Sequence, residues 1–196
     1  MMKELVFATN NQNKVFEIKS LFKNLPYNIM SLKDINCVEE IPEPFETLKE
    51  NAMAKAKFVY NKFNLNCFAD DTGLEIYALD GKPGVYSARY AGKPPNSEKN
   101  MAKVLEDLKG ENNRAAQFKT IIALILNGKD YYFEGIVKGE ITNERIGVKG
   151  FGYDPIFLPY GKTMTFAEMP VEDKNKISHR ARAIDKLAGF LKLQST

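Results

Sequence analysis

Phe68-Ala69-Asp70-Asp71-Thr72-Gly73-Leu74 is the stretch from which the rest of the chain is read. An apolar approach, Cys67-Phe68-Ala69, runs into two adjacent carboxylates and then Thr72-Gly73, which predicts a buried strand ending in a turn. Side chains alternate along a strand, so Asp70 and Asp71 face different ways unless the turn re-aims one of them. One carboxylate can then hold local backbone while the other faces a site. Two aspartates that merely cap the turn are the competing reading, since Asp is a common turn residue.

Upstream, Glu4–Thr9 is a short apolar strand, followed by Asn10-Asn11-Gln12-Asn13-Lys14 and then Val15, Ile18, Leu21 and Phe22 at helical spacing. Strand, Asn-rich turn and helix put free backbone N–H groups and a positive dipole end at the turn, a place for a phosphate. Lys14 in the first turn is unfavourable for that dipole, so a nearby negative charge would account for it. Capping by Asn10, Asn11 or Asn13 beside a solvated lysine explains the same residues. Residues 27–37 read as a second strand and a connection. Glu39-Glu40-Ile41-Pro42-Glu43-Pro44 is an acidic loop that proline keeps out of helix. From Phe45 onward, Leu48, Ala52, Ala56, Val59 and Phe63 mark one face of a helix. Lys49, Lys55 and Lys62 fall on its other faces, where they are expected to be solvated charges.

Downstream, Leu74–Leu79 is strand-like and Asp80-Gly81-Lys82-Pro83-Gly84 is dense in turn residues. Val85-Tyr86-Ser87-Ala88-Arg89-Tyr90-Ala91-Gly92 suits a lid, an interface or a phosphate contact. Asn96 or Ser97 can cap a helix carrying Met101, Val104, Leu105 and Leu108, ended by Gly110. Ala115–Leu126 and Tyr131–Lys138 flank Asn127-Gly128, a strong hairpin signal. Gly150-Phe151-Gly152-Tyr153-Asp154-Pro155 has a shape for a planar ring, or else is a bulge at a strand edge. Ser178 can cap a last helix with Ala181, Ile184, Leu187, Ala188 and Leu191 on its apolar face.

Composition sets bounds on these readings. The chain has 196 residues, 44% of them hydrophobic, with no repeat or linker to divide it, so residues 1–196 are expected to form one domain. Twenty-eight Lys+Arg against 25 Asp+Glu leave a charge of +3, too weak to argue for nucleic acid. Met1-Met2-Lys3-Glu4-Leu5 lacks the long apolar core expected of a signal peptide, and no apolar run reaches membrane-spanning length. Cys37 and Cys67 are isolated and expected to be reduced. A cytoplasmic protein that binds neither nucleic acid nor membrane is the expectation. His179 is the only histidine, which removes a His-based metal site. Gly161-Lys162-Thr163 resembles the end of a P-loop, but Ile156 stands where that pattern needs glycine.

Taken together, the parts suit a nucleotide: a lysine at a helix start, acidic residues on two loops, an aromatic-glycine loop and a Lys…His-Arg segment. Carboxylate ligands suit Mg²⁺ rather than zinc. Five motifs in order then become specific: Phe7–Lys14, Phe68–Leu74, Pro83–Gly92, Gly150–Asp154 and Ile177-Ser178-His179-Arg180. Together they resemble the inosine/xanthosine triphosphate pyrophosphatase (ITPase) family from the first strand to the last helix.

That resemblance implies a mixed α/β fold with a long twisted central sheet, flanking helices and two lobes around a nucleotide cleft, usually as a homodimer. It implies Mg²⁺-dependent hydrolysis of ITP, dITP or XTP to the monophosphate and pyrophosphate. It also implies roles. Thr9, Asn10, Asn11, Gln12, Asn13 and Lys14 would hold the triphosphate, with Lys55 near it. Asp71 would be metal ligand and general base, and Thr72 would touch substrate. Phe151, Gly152, Tyr153 and Asp154 would frame the base, and Lys174, His179 and Arg180 would complete its recognition. Thr72 replaces a common serine and keeps the hydroxyl. The acidic loop, Glu43-Pro44-Phe45-Glu46-Thr47, departs from the usual Glu-Thr-Gly run; Glu43 is taken as second metal ligand, with Glu46 as its competitor. Alternatives are a pyrophosphatase for other modified nucleotides, a nucleotide sensor, and a nucleic-acid module using Lys174, Lys176, Arg180 and Arg182.

Overall fold

A computed structural model describes residues 3–23 and 26–194, without the side chains of Ser20 and Leu21, so the expected apolar role of Leu21 lies outside the described residues. The elements are β1 (Lys3–Phe7), α1 (Gln12–Phe22), β2 (Tyr27–Ser31), α2 (Leu48–Phe63), β3 (Cys67–Ile76), β4 (Pro83–Gly84), α3 (Ser97–Asp107), β5 (Ala115–Leu126), β6 (Lys129–Ile141), β7 (Phe157–Pro159), α4 (Val171–Ile177) and α5 (His179–Leu193). The architecture is mixed α/β. The sheet has the hydrogen-bonded order β2-β1-β3-β5-β6-β7, with β4 also on β3.

The chain divides into two compact units. The first comprises Met1–Asp71, Thr120–Gly135 and Arg180–Thr196; the second comprises Thr72–Lys119 and Ile136–His179. In the first, β1 is parallel both to β2 (Leu5↔Ile29) and to the start of β3 (Phe7↔Phe68). Parallel strands are buried on both faces, which is why Leu5, Val6, Phe7, Cys67, Phe68 and Ala69 are almost fully inaccessible. Its core sets Phe7 on Phe68, ring centroids 4.6 Å apart and stacked, against Val15, Ile18 and Phe22 of α1 and Ile184, Leu187 and Leu191 of α5. In the second unit β4 runs antiparallel to β3 and β7 antiparallel to β6. Its core joins Leu74, Ile76, Met101, Val104, Phe118, Phe157 and Phe166.

Local signals account for most element ends. Asn11 caps α1, Thr47 caps α2 and Asn96 caps α3, each accepting backbone N–H from the first turn. Asn127 (φ 51°) and Gly128 (φ 76°) both take left-handed geometry, as a two-residue hairpin between β5 and β6 needs. Two expectations are corrected. The helix expected from Phe45 begins at Leu48. Phe45 stands ahead of it, its N–H donating to Asn51 Oδ1 (2.9 Å) and its carbonyl accepting from Asn51 Nδ2 (3.0 Å). The strand expected to end at Thr72-Gly73 runs on to Ile76. Gly73 makes a close approach, not a turn: a Cβ there would lie 2.7 Å from the Gly84 carbonyl oxygen.

Candidate active site

In the first unit β1 ends beside the start of β3, with the Ala8 N–H donating to the Phe68 carbonyl (2.8 Å). That pairing brings the β1–α1 turn next to the aspartates. Thr9 Oγ1 accepts from the Asn11 N–H (3.2 Å), and Asn11 Oδ1 accepts from the N–H groups of Asn13 (3.0 Å) and Lys14 (3.3 Å). Asn10, Asn11, Gln12 and Asn13 are exposed, so the turn presents polar groups to solvent.

Strand alternation sends the two aspartates to different partners. The Asp70 carboxylate is wholly buried, taking Lys14 Nζ on Oδ1 (3.0 Å) and Arg180 Nε on Oδ2 (3.2 Å). Arg180 also pairs with Glu17 of α1. Burial by itself would raise the Asp70 carboxyl, but Lys14, Arg180 and Lys55 more than offset it and hold the group well below the usual carboxylate range. For Lys14 the balance goes the other way, and burial lowers its ammonium despite Asp70. This cluster answers the question posed by a lysine at a helix start: the negative charge is Asp70.

Asp71 belongs to a second cluster. Lys55 Nζ lies 2.5 Å from Glu43 Oε1 and 3.5 Å from Asp71 Oδ1. Burial pushes the Asp71 carboxyl up, with Lys55 only partly opposing it. The Lys55 ammonium, which burial alone would lower, is raised by Asp71 and Glu43. So Lys55 is buried on the α2 face with Ala52 and Ala56 rather than solvated with Lys49 and Lys62. Glu46 is exposed, whereas Glu43 is half-buried on Lys55. Asn51 holds the backbone of Phe45, two residues after Glu43. Asp71 and Glu43 form an oxygen donor set of the kind Mg²⁺ takes, one or two carboxylates with phosphate and water completing the shell. Among the described residues no group of three or more His, Cys, Asp or Glu is arranged to hold a metal by itself.

In the second unit, Gly150 to Asp154 form a loop locked by one ion pair. Asp154 Oδ2 accepts from the Phe151 N–H (2.8 Å) and from Lys174 Nζ (2.7 Å). Lys174 lies 4.8 Å from the centre of the Phe151 ring. Gly150 (φ +76°) has no room for a side chain, since a Cβ would fall 2.1 Å from Asp154 Oδ2. His179 is buried and stacked on Phe118, centroids 4.5 Å apart. Thr72 is half-buried at the start of this unit.

Comparison with known proteins identifies the family. The model of the Ham1 family matches residues 5–190. The chain belongs to the Ham1 family. Among relatives of this Ham1 chain, the dITP/XTP pyrophosphatase of Flavobacterium johnsoniae is 54% identical over 188 residues, covering 96% of this chain and 97% of that protein. That of Bacillus subtilis is 45% identical over 97% of this chain and 98% of its own. The structure of the Staphylococcus aureus Ham1 protein superposes with a TM-score of 0.89 at 38% identity, covering 98% of this chain and all of that one.

Three residues of this Ham1 chain escaped the reading of the sequence. Glu17 joins Arg180 in the charged cluster; its only signal was a carboxylate between the buried positions Val15 and Ile18. Ser87 and Asn100 are buried polar residues tied to Tyr153; Ser87 lay inside the Pro83–Gly92 motif without a role of its own, and nothing local distinguished Asn100.

Proposed function

We propose that this protein hydrolyses deaminated purine nucleoside triphosphates (dITP, ITP, XTP) to the nucleoside monophosphate and pyrophosphate, and so removes non-standard purines from the nucleotide pool. Relatives named dITP/XTP pyrophosphatase, aligned over nearly the full chain at 44–55% identity, support the activity. The observation that carries the chemistry is the pair of lysine–carboxylate clusters, Lys14–Asp70 and Glu43–Lys55–Asp71, built around adjacent residues of one strand.

In this reading the N–H groups at the start of α1, with Lys14 and Lys55, receive the triphosphate oxygens; Thr9, Asn10, Gln12 and Asn13 supply further polar contacts. Asp71 takes a proton from the attacking water as oxygen adds to the α-phosphorus. The α–β anhydride bond breaks and pyrophosphate leaves. Asp71 and Glu43 would hold Mg²⁺, which when bound neutralises charge on the phosphate oxygens. Thr72 orients substrate beside Asp71.

Phe151, Gly152, Tyr153 and Asp154 frame the purine, and Lys174 and His179 supply donors to it. Arg180, whose guanidinium is engaged by Asp70 and Glu17, contributes by bracing the carboxylates. Hypoxanthine and xanthine carry an acceptor, O6, where adenine has a donor. A buried donor left unpaired by adenine costs roughly 1–3 kcal/mol, about ten- to a hundredfold in discrimination. A homodimer in the cytoplasm is part of the same reading. Among the described residues no helix is long and apolar enough to cross a membrane.

The test is pyrophosphate release from ITP, XTP, dITP, GTP, ATP and dUTP, with Mg²⁺ and then with EDTA. Release from the first three that EDTA abolishes, with weak activity on GTP and ATP, is the expected result. Preference for dUTP would move the protein to another modified nucleotide. No release from any of the six would overturn the reading.

A further inference from the structure

The base loop is anchored at a second point, away from its ion pair, and two of the residues there, Ser87 and Asn100, are polar, buried and without a role in the reaction as set out above. Tyr153 is buried among Leu74, Phe118 and Phe157, and its hydroxyl donates to the main-chain carbonyl of Ser87 (2.7 Å). The phenol is pushed well above its usual value, chiefly by burial, so it remains a donor at any working pH. A tyrosine hydroxyl inside a core needs a partner, and here that partner is a single carbonyl.

That carbonyl is itself fixed. Asn100 of α3, only 3% exposed, uses its whole amide on the segment that carries Ser87. Its Nδ2 donates to the carbonyls of Ala88 (2.9 Å) and Ser87 (3.3 Å), and its Oδ1 accepts from the Ala91 N–H (2.7 Å). The Ser87 hydroxyl completes the frame. It donates to the Gly84 carbonyl (2.6 Å) and accepts from the Leu74 N–H (2.9 Å), three residues beyond Asp71 on β3. The Gly73–Gly84 approach described above lies inside the same frame. A short side-chain network thus runs from β3 and α3 to the phenol of the base loop. None of its members carries a charge, and every contact in it has hydrogen-bond geometry.

We propose that Ser87 and Asn100 are positioning residues for base recognition: they fix the carbonyl on which the Tyr153 hydroxyl rests, and with it the loop that frames the purine. The proposal rests on the pyrophosphatase reading and deepens it. Each residue acts through Tyr153, so the consequence falls on how the base is seated rather than on attack at the α-phosphorus.

The test compares Tyr153→Phe, Asn100→Ala and the double variant with the wild-type enzyme, measuring kcat and KM for ITP and the ITP:GTP ratio of kcat/KM. Tyr153→Phe removes one oxygen and keeps the ring, so it tests the anchor even if Asn100→Ala does not fold. The KM for ITP is expected to rise about fivefold to tenfold in each single variant, with a smaller change in kcat and a lower ITP:GTP ratio. Both variants disturb one shared carbonyl. The double variant should therefore show a KM close to the worse single variant, not the product of the two effects. Ser87→Ala, which keeps the carbonyl but loosens it, should give a smaller rise. An unchanged KM in Tyr153→Phe, or a loss confined to kcat, would overturn the positioning role while leaving the activity intact. A wild-type enzyme that releases no pyrophosphate from ITP would instead overturn the functional reading on which the proposal stands.

Discussion

The two units solve the problem of holding a polar site in opposite ways. Around Asp70 and Asp71 in the first, five charged side chains are drawn in from solvent: Lys14, Arg180 and Glu17 around one aspartate, Lys55 and the half-buried Glu43 around the other. Around Tyr153 in the second, one buried ion pair (Lys174–Asp154) is accompanied by aromatic rings and neutral hydrogen bonds to backbone. Buried charges cost free energy unless matched, so the first arrangement is stiff in its charge balance and tolerates no missing partner. Neutral networks lose less when one bond is removed. A triphosphate brings several negative charges and a purine brings none, and the difference between the units follows that difference in the proposed substrate.

Breaking the first unit should therefore have the larger consequences. Asp71→Asn keeps the shape of the side chain but removes the proton acceptor, and is expected to lower pyrophosphate release from ITP about a thousandfold, about 4 kcal/mol of transition-state stabilisation. Steady-state kinetics on folded protein checks it. Asp70→Ala leaves Lys14 and Arg180 without their shared carboxylate and is expected to cost about 3 kcal/mol of folding stability, read by urea unfolding. The pH dependence sharpens this. Asp70 has a depressed folded-state pKa, so its stabilisation is present above the ordinary aspartate value of 3.8 and is lost as pH falls below it toward the folded value. Asp70→Asn should flatten that acid limb of the wild-type stability curve.

The second unit should respond in binding. Gly150→Ala asks a side chain to adopt φ +76° against Asp154 Oδ2, which should displace the loop and raise KM for ITP about tenfold, with kcat less affected. A larger loss in kcat than in KM would erase the contrast between the units. The smallest effect is local to one helix end. Asn11→Ala removes the cap of α1 and should cost about 1 kcal/mol of stability, seen as a modest drop in melting temperature.

Much of the fold was legible because its signals are local. Asn127-Gly128 specifies a hairpin through the φ angles those residues accept, and Asn96 caps α3 by accepting the Lys99 N–H at 2.9 Å. Thr72-Gly73 misled because a glycine that admits a neighbouring strand looks, in sequence, like a glycine that turns the chain. Lys55 was misread by helical position alone, since nothing in α2 shows that two carboxylates wait on that face. The motif set, not any single motif, carried the resemblance to the inosine/xanthosine triphosphate pyrophosphatase family.

By itself the sequence determined that Asp70 and Asp71 diverge, because side chains alternate along a strand, and that a capped helix follows the first strand with Lys14 in its opening turn. Only the tertiary structure decided what each aspartate meets. Asp70 finds Lys14 across 56 residues and Arg180 across 110, and Asp71 finds Lys55 on another helix. The reason is physical. Propensity, capping and turn geometry act over a few residues, but the strength of a charge pair depends on distance and on exclusion of water, and neither exists until the chain has folded.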